Sequence, residues 1–263
     1  MRRTLLALAA CAALPAAAVD KATWTQPTEP HVIYGNTYYV GTKGVSSILV
    51  TSPQGHVLID VPLEENVPQI EANIRKLGFR VEDIKVIFNS HAHSDHAGGI
   101  AGLAKDSGAT VRATVAGAKE LRLGGDDPSD PQHGDVPLYP KVNAIGDIAD
   151  GTVVKVGPLR LTAHITPGHT AGGTAWTWES CEGPRCKSIA YVDSLSAIAA
   201  GTYRYSDHPD FVAAFRKTFD RVAALPCDVL ITPHPEQAEG KTCKTYAEAG
   251  REGLAEELAE EKR

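Results

Sequence analysis

The chain has 263 residues, 43% of them hydrophobic and 22% charged, with a formal net charge of −6 and a pI near 5.9. That length and apolar content support a sizeable core in one or two globular domains and exclude disordered and collagen-like classes. The basic residues are scattered rather than striped along one face, so no nucleic-acid partner is expected.

The opening stretch MRRTLLALAACAALPAAAVD combines a basic start, a short apolar run and a small-residue exit. This is the order of a secretory signal, and the run is too short for the roughly 20 apolar residues of a membrane span. Two processing routes fit: cleavage near Ala18, or lipid attachment at Cys11, which follows a lipobox-like Leu8-Ala9-Ala10. Residues 1–18 are therefore read as a signal peptide and 19–263 as one folded domain. The protein is expected to be exported to the periplasm, off the membrane unless Cys11 is lipidated.

Past the leader, HVIYGNTYYVGT (31–42) and SSILVTSPQGHVLIDV (46–61), the latter broken by a Pro-Gln-Gly turn, read as strands. ENVPQIEANIRKLG (65–78) is an amphipathic helix ending on Gly78, and KVIFNS (85–90) is a further strand. The segments 97–108 and 116–123 read as helices around the strand TVRATV (110–115). Residues 124–141, rich in Asp, Pro and Gly, predict a long irregular loop of the kind that covers sites. Strands return at 152–166, 172–180 and 188–194, followed by a helix over 208–225, the strand DVLITPH (228–234) and a terminal helix from about Tyr246. No short repeat is present, and the mixture of strands and helices in both halves argues for sheets covered by helices.

Between the strand at 85–90 and the next helix lies NSHAHSDHAGG, with His91, His93, Asp95 and His96 inside six positions. A loop leaving a strand end aims side chains inward from several directions, which a regular strand cannot do for all three histidines. Imidazoles supply neutral nitrogen donors and the aspartate offsets cationic charge, so the pattern suits zinc. His169 in ITPGHTAGG and His234 in LITPHPE also follow apolar strands and Pro-containing turns. Together they make six ligands, enough for two Zn2+ per chain at three protein ligands each, with positions left for water and substrate.

Four further cysteines, Cys181, Cys186, Cys227 and Cys243, allow three disulfide pairings. Local spacing favours Cys181 with Cys186 and Cys227 with Cys243, whereas a four-thiolate zinc site lacks its usual CxxC pairs.

The HxHxDH loop, TPGHTAGG and TPHP, in that order, resemble the metallo-β-lactamase superfamily over nearly all of the chain after the leader. The run DSLSA, with LPCDVLITPHP, TAWTW and WTQPTEP, is similar to subclass B3. The resemblance implies an α+β fold, a four-layer αββα sandwich of two mixed sheets flanked by helices. It implies His91, His93 and His169 as ligands of a first zinc and Asp95, His96 and His234 as ligands of a second. A zinc-bridging hydroxide would then open the amide bond of a small β-lactam, a reaction of antibiotic resistance, with Asp95 also orienting water or taking a proton. Ser194 and Ser196 would hold the substrate carboxylate, Asp193 would be a structural acid, and both disulfides have counterparts in the subclass. The chain is expected to act as a monomer. Two departures, Val61-Pro62 after the strand end at Asp60 and the short PEQAEGKT between His234 and Cys243, affect the groove rather than the ligands. The alternatives are a lactonase or thioesterase with Asp193 bridging the metals, and a secreted metal-binding protein without turnover.

Overall fold

The computed structural model describes residues 21–263, so the leader and Cys11 lie outside the described residues. A seven-stranded sheet is ordered β1 (His31–Tyr34), β2 (Thr37–Tyr39), β3 (Ile48–Val50), β4 (His56–Ile59), β5 (Ile84–Phe88), β6 (Thr110–Thr114) and β7 (Ile145–Ile148). β1 to β4 form an antiparallel meander, and β4 to β7 run parallel. The second sheet contains β8 (Val153–Val156), β9 (Leu159–Ile165), β10 (Thr174–Glu182), β11 (Arg185–Tyr191) and β12 (Val229–Ile231) in the order β12-β11-β10-β9-β8. Only the β11–β12 pair is parallel.

Strand periodicity explains the layering. Ile48 and Val50, Val57 and Ile59, and Val86 and Phe88 point between the sheets and meet Leu161, Trp176, Trp178, Ile189 and Tyr191. Phe88 stacks on Trp176 with centroids 3.9 Å apart. The alternate residues Leu49, Leu58 and Ile87 point outward. They are covered by apolar faces of α1 (Val67–Lys76), α3 (Ile100–Ser107) and α4 (Val115–Leu123), with the single-turn α2 (Ser94–Ala97) between α1 and α3 in sequence. On the outer side of the second sheet, Ala175, Ala190 and Val192 pack under α5 (Pro209–Ala223) and α7 (Cys243–Glu260), with the single-turn α6 (Pro235–Ala238) between them in sequence. The layers are therefore αββα. No helix among the described residues is long and apolar enough to cross a membrane.

Both expected disulfides form: Cys181–Cys186 across the β10–β11 hairpin and Cys227–Cys243 between the start of β12 and the start of α7. The start of the last helix and one whole strand differ from expectation. α7 starts at Cys243 rather than near Tyr246, because Thr242 and Thr245 cap its first turn reciprocally. β7 was not expected: it is four residues long, contains Gly146 and lies on a sheet edge, so it lacks an alternating apolar pattern.

Candidate metal centre

Parallel pairing brings the C-terminal ends of β4 and β5, and of β11 and β12, to one edge of the sandwich. There the backbone crosses from sheet to sheet, with Thr174 N–H donating to Ser90 O at 2.8 Å. The loop after β5 carries His91, caps α2 with His93, and places Asp95 and His96 in that one turn. Val61 N–H donates to His96 O at 3.0 Å, fastening the turn to the chain leaving β4. His169 sits in the β9–β10 turn, where Gly168 has φ +153° and a Cβ would stand 1.9 Å from the Phe215 ring. Only glycine lets this turn close on α5. His234 follows β12. All six expected ligands are at most 7% exposed and line one cavity of about 290 Å³.

Four of the five histidines have one ring nitrogen occupied by a group outside the cluster. His91 Nδ1 lies 2.7 Å from Asp193 Oδ1, His93 Nε2 is 3.1 Å from Asp130 Oδ1, His169 Nδ1 is 2.9 Å from Ser196 O, and His234 Nδ1 is 3.1 Å from Gly44 O. Carbonyls and carboxylates accept, so the ring nitrogen donates and the opposite nitrogen keeps its lone pair for the cavity. His91 Nε2 is buried with no hydrogen-bond partner, the state expected of an imidazole set to ligate. His96 differs: its Nδ1 has no hydrogen bond and lies 3.8 Å from Asp60 Oδ2.

The spacing of the donors fits a metal. Asp95 Oδ2 lies 3.1 Å from His96 Nε2 and 3.3 Å from His234 Nε2, and the two nitrogens are 3.3 Å apart. A tetrahedral ion with ligands at about 2.0–2.1 Å separates them by about 3.3 Å. Donor atoms of His91, His93 and His169 likewise lie within 4.8 Å of one another. The donors are three imidazole nitrogens in the His91, His93 and His169 group and two imidazole nitrogens with a carboxylate oxygen in the other, a set that suits a transition metal of borderline softness.

The electrostatics of His91, His169 and Asp95 agree with that use. Burial and then the neighbouring imidazoles hold His91 well below the usual histidine range, and burial together with His93 pushes His169 down to about 3, so both are neutral donors. At Asp95 burial opposes ionisation, but His96 and His234 outweigh it and hold the carboxyl well below its usual range. At His93 and His234 burial opposes protonation, yet Asp130 and Asp95 respectively carry each above its usual value. Burial drives Asp193 well upward, against the Ser194 N–H donated to it at 2.8 Å. A cation bound on the far side of His91 would offset that burial cost and favour Asp193 as an acceptor.

The remaining expected residues divide. Ser194 and Ser196 line the cavity, with Ser196 Oγ 3.2 Å from His169 Nδ1. Asp193 does not line it and faces the outer nitrogen of His91, not the space between the two ligand groups. Sequence reading missed several supports. Asp60, left-handed at φ +61°, accepts from Ser90 N–H at 2.6 Å, Ser90 Oγ–H at 2.7 Å and Tyr191 O–H at 2.5 Å, tying β4, β5 and β11 together. Asp130 and Gln132 reach the centre from the 124–141 loop, and Trp24 and Lys21 from the N-terminal side. No local spacing announces these, although an aspartate ending an apolar strand beside the HxHxDH strand is a usable cue for Asp60.

Comparison with known proteins follows the same line. The profile of the metallo-beta-lactamase superfamily matches residues 40–182. Rm3 metallo-beta-lactamase is 46% identical over 92% of this chain and 98% of its own, with a TM-score of 0.88. MEM-A1, a subclass B3 metallo-beta-lactamase isolated from a soil metagenome library, is 45% identical over 90% of this chain and 98% of its own, with a TM-score of 0.87. Hydroxyacylglutathione hydrolase of Anaeromyxobacter dehalogenans (strain 2CP-C) is 35% identical over 123 residues, 47% of this chain but only 37% of that protein's length.

Proposed function

The chain belongs to the metallo-β-lactamase superfamily, and from that premise we propose that it is a zinc-dependent β-lactamase of the subclass B3 type, hydrolysing the amide bond of penicillins, cephalosporins and carbapenems in the periplasm. The observation that carries the reading is the convergence of His91, His93 and His169 beside Asp95, His96 and His234 in one cavity, with Ser194 rather than Asp193 turned to it. His91, His93 and His169 would hold one zinc ion and Asp95, His96 and His234 a second. When bound, zinc supplies Lewis acidity, which activates water at neutral pH and polarises the substrate carbonyl.

The protein's own groups do the rest. Asp193, Asp130, Ser196 O and Gly44 O fix the rings of His91, His93, His169 and His234, so no reorientation is needed during the reaction. Asp95 stays anionic, offsets cationic charge and is the carboxylate placed to accept a proton from the attacking water. Ser194 and Ser196 line the cavity and offer hydroxyl donors to the carboxylate of the substrate. Val136, Pro137 and the exposed Ile198 form apolar walls that displace water from the bound ring.

The partial match to a hydroxyacylglutathione hydrolase supports a second reading, a thioesterase or lactonase with Asp193 as a bridging ligand. The 2.7 Å bond from His91 Nδ1 to Asp193 speaks against it. A substrate panel separates the two: a penicillin, a cephalosporin and a carbapenem beside an acyl-homoserine lactone and a glutathione thioester, with and without chelator. Chelator-sensitive opening of the β-lactams is the expected result. Cleavage confined to the lactone or thioester overturns the reading.

A further inference from the structure

We propose that Lys21, on the N-terminal turn beside His234, binds the anionic group of the substrate and so helps determine specificity; this rests on the β-lactamase reading above. Among the described residues Lys21 is the only lysine or arginine that lines the cavity, and no carboxylate of those residues forms an ion pair with it. A β-lactam carries its carboxylate next to the bond being broken. A cation on the rim therefore meets the carboxylate that this substrate class shares, and an ammonium–carboxylate hydrogen bond is stronger than one from a neutral serine.

The turn is held in place rather than merely nearby. Trp24 N–H donates to Lys21 O at 3.2 Å and Gln26 N–H to Thr23 O at 3.2 Å, which folds the segment on itself. Gly44 N–H donates to Thr23 O at 3.1 Å and Lys43 N–H to Gln26 O at 2.9 Å, which fastens it to the loop between β2 and β3. The approach is so close that a Cβ on residue 44 would stand 1.9 Å from Thr23 Oγ1, so glycine is required there. Gly44 O in turn accepts from His234 Nδ1. Trp24 stacks against His234 with centroids 5.6 Å apart, and the Lys21 ammonium lies 5.4 Å from the Trp24 ring centroid. One chain of contacts thus runs from a candidate zinc ligand to the ammonium. Ser196, beside His169, would be a neutral hydroxyl donor to the same carboxylate.

The test is steady-state kinetics of the zinc-loaded wild type, Lys21→Gln and Lys21→Arg on a carboxylate-bearing β-lactam and on its neutral methyl ester. For the carboxylate substrate, Lys21→Gln should raise KM about 2- to 5-fold with kcat within about 1.5-fold, since an exposed charge pair is worth about fivefold at most. Lys21→Arg should restore KM, and neither variant should alter turnover of the ester. Equal KM for wild type and Lys21→Gln on the carboxylate substrate, or equal losses on both substrates, overturns the inference while leaving the β-lactamase reading intact. No turnover of either substrate by the wild type overturns that reading and the inference with it.

Discussion

The two halves of the metal centre are held by different means. Around His91, His93 and His169 every ring is fixed at 2.7–3.1 Å by an acceptor that no ion would use, namely Asp193, Asp130 and Ser196 O. Around Asp95, His96 and His234 the groups lean mainly on one another, His234 alone having a bond of 3.1 Å to Gly44 O, while His96 Nδ1 stands 3.8 Å from Asp60. The first half is preorganised by two buried acids and a backbone carbonyl. The second would depend more on a bound ion, and leans on the peripheral segments around Trp24 and Gly44. Orientation of a ligand before binding is part of metal affinity, so the second half is expected to bind more weakly.

The largest effect that would break this comparison comes from the ligands. His169→Ala and His234→Ala should each reduce hydrolysis to the chelated background. Titration with a mild chelator should remove the ion of Asp95, His96 and His234 first, and simultaneous loss of both would contradict the asymmetry. Next in size is Asp193→Asn, which keeps the shape but removes the charge behind His91. Metal affinity at the first half should fall about 10- to 100-fold, read by competition with a chromogenic chelator, with far-UV circular dichroism unchanged.

The disulfides sharpen the comparison further. Cys227–Cys243 joins the β12 start to α7, whose Tyr246 O–H donates to Gln237 at the cavity rim at 2.8 Å. Removing it should cost about 3 kcal/mol by loop-closure entropy and loosen the His234 half. Cys181–Cys186 closes a shorter loop on the β10–β11 hairpin, and its removal should cost about 2 kcal/mol and leave metal retention unchanged. Denaturant unfolding with parallel metal analysis reads both.

The smallest effect is on pH dependence in the metal-free protein. His169, depressed to about 3 from 6.5, stays neutral when folded, so its contribution is complete above about pH 6.5 and is lost as pH falls toward 3. His234, raised beside Asp95, works in the opposite sense: its contribution is present below about 6.5 and lost as pH rises through its folded value. Substituting His169 by alanine should therefore flatten the acid limb of the stability profile, and substituting His234 the alkaline one, as measured by urea unfolding across pH.

Much of this was legible in the sequence, and for physical reasons. The strands at 46–61 and 85–90 alternate apolar residues toward two cores, and turn residues mark their ends, so the strand-to-helix placement of the HxHxDH loop could be read directly. The layer order came from the family resemblance, since periodicity shows that strands are covered but not by what. Asp130, Gln132, Trp24 and Gly44 were not legible as supports of the site. Each acts on a histidine far away in sequence, Gly44 on His234 and Asp130 on His93, and such pairs exist only after the sheets have stacked.

The most direct test of the account is a zinc titration of the metal-free protein, with bound equivalents and carbapenem hydrolysis followed in the same samples. Two equivalents bound in sequence, with hydrolysis absent before zinc and restored as they bind, is the predicted result. Saturation at one equivalent, or hydrolysis that persists in the metal-free protein, would contradict it.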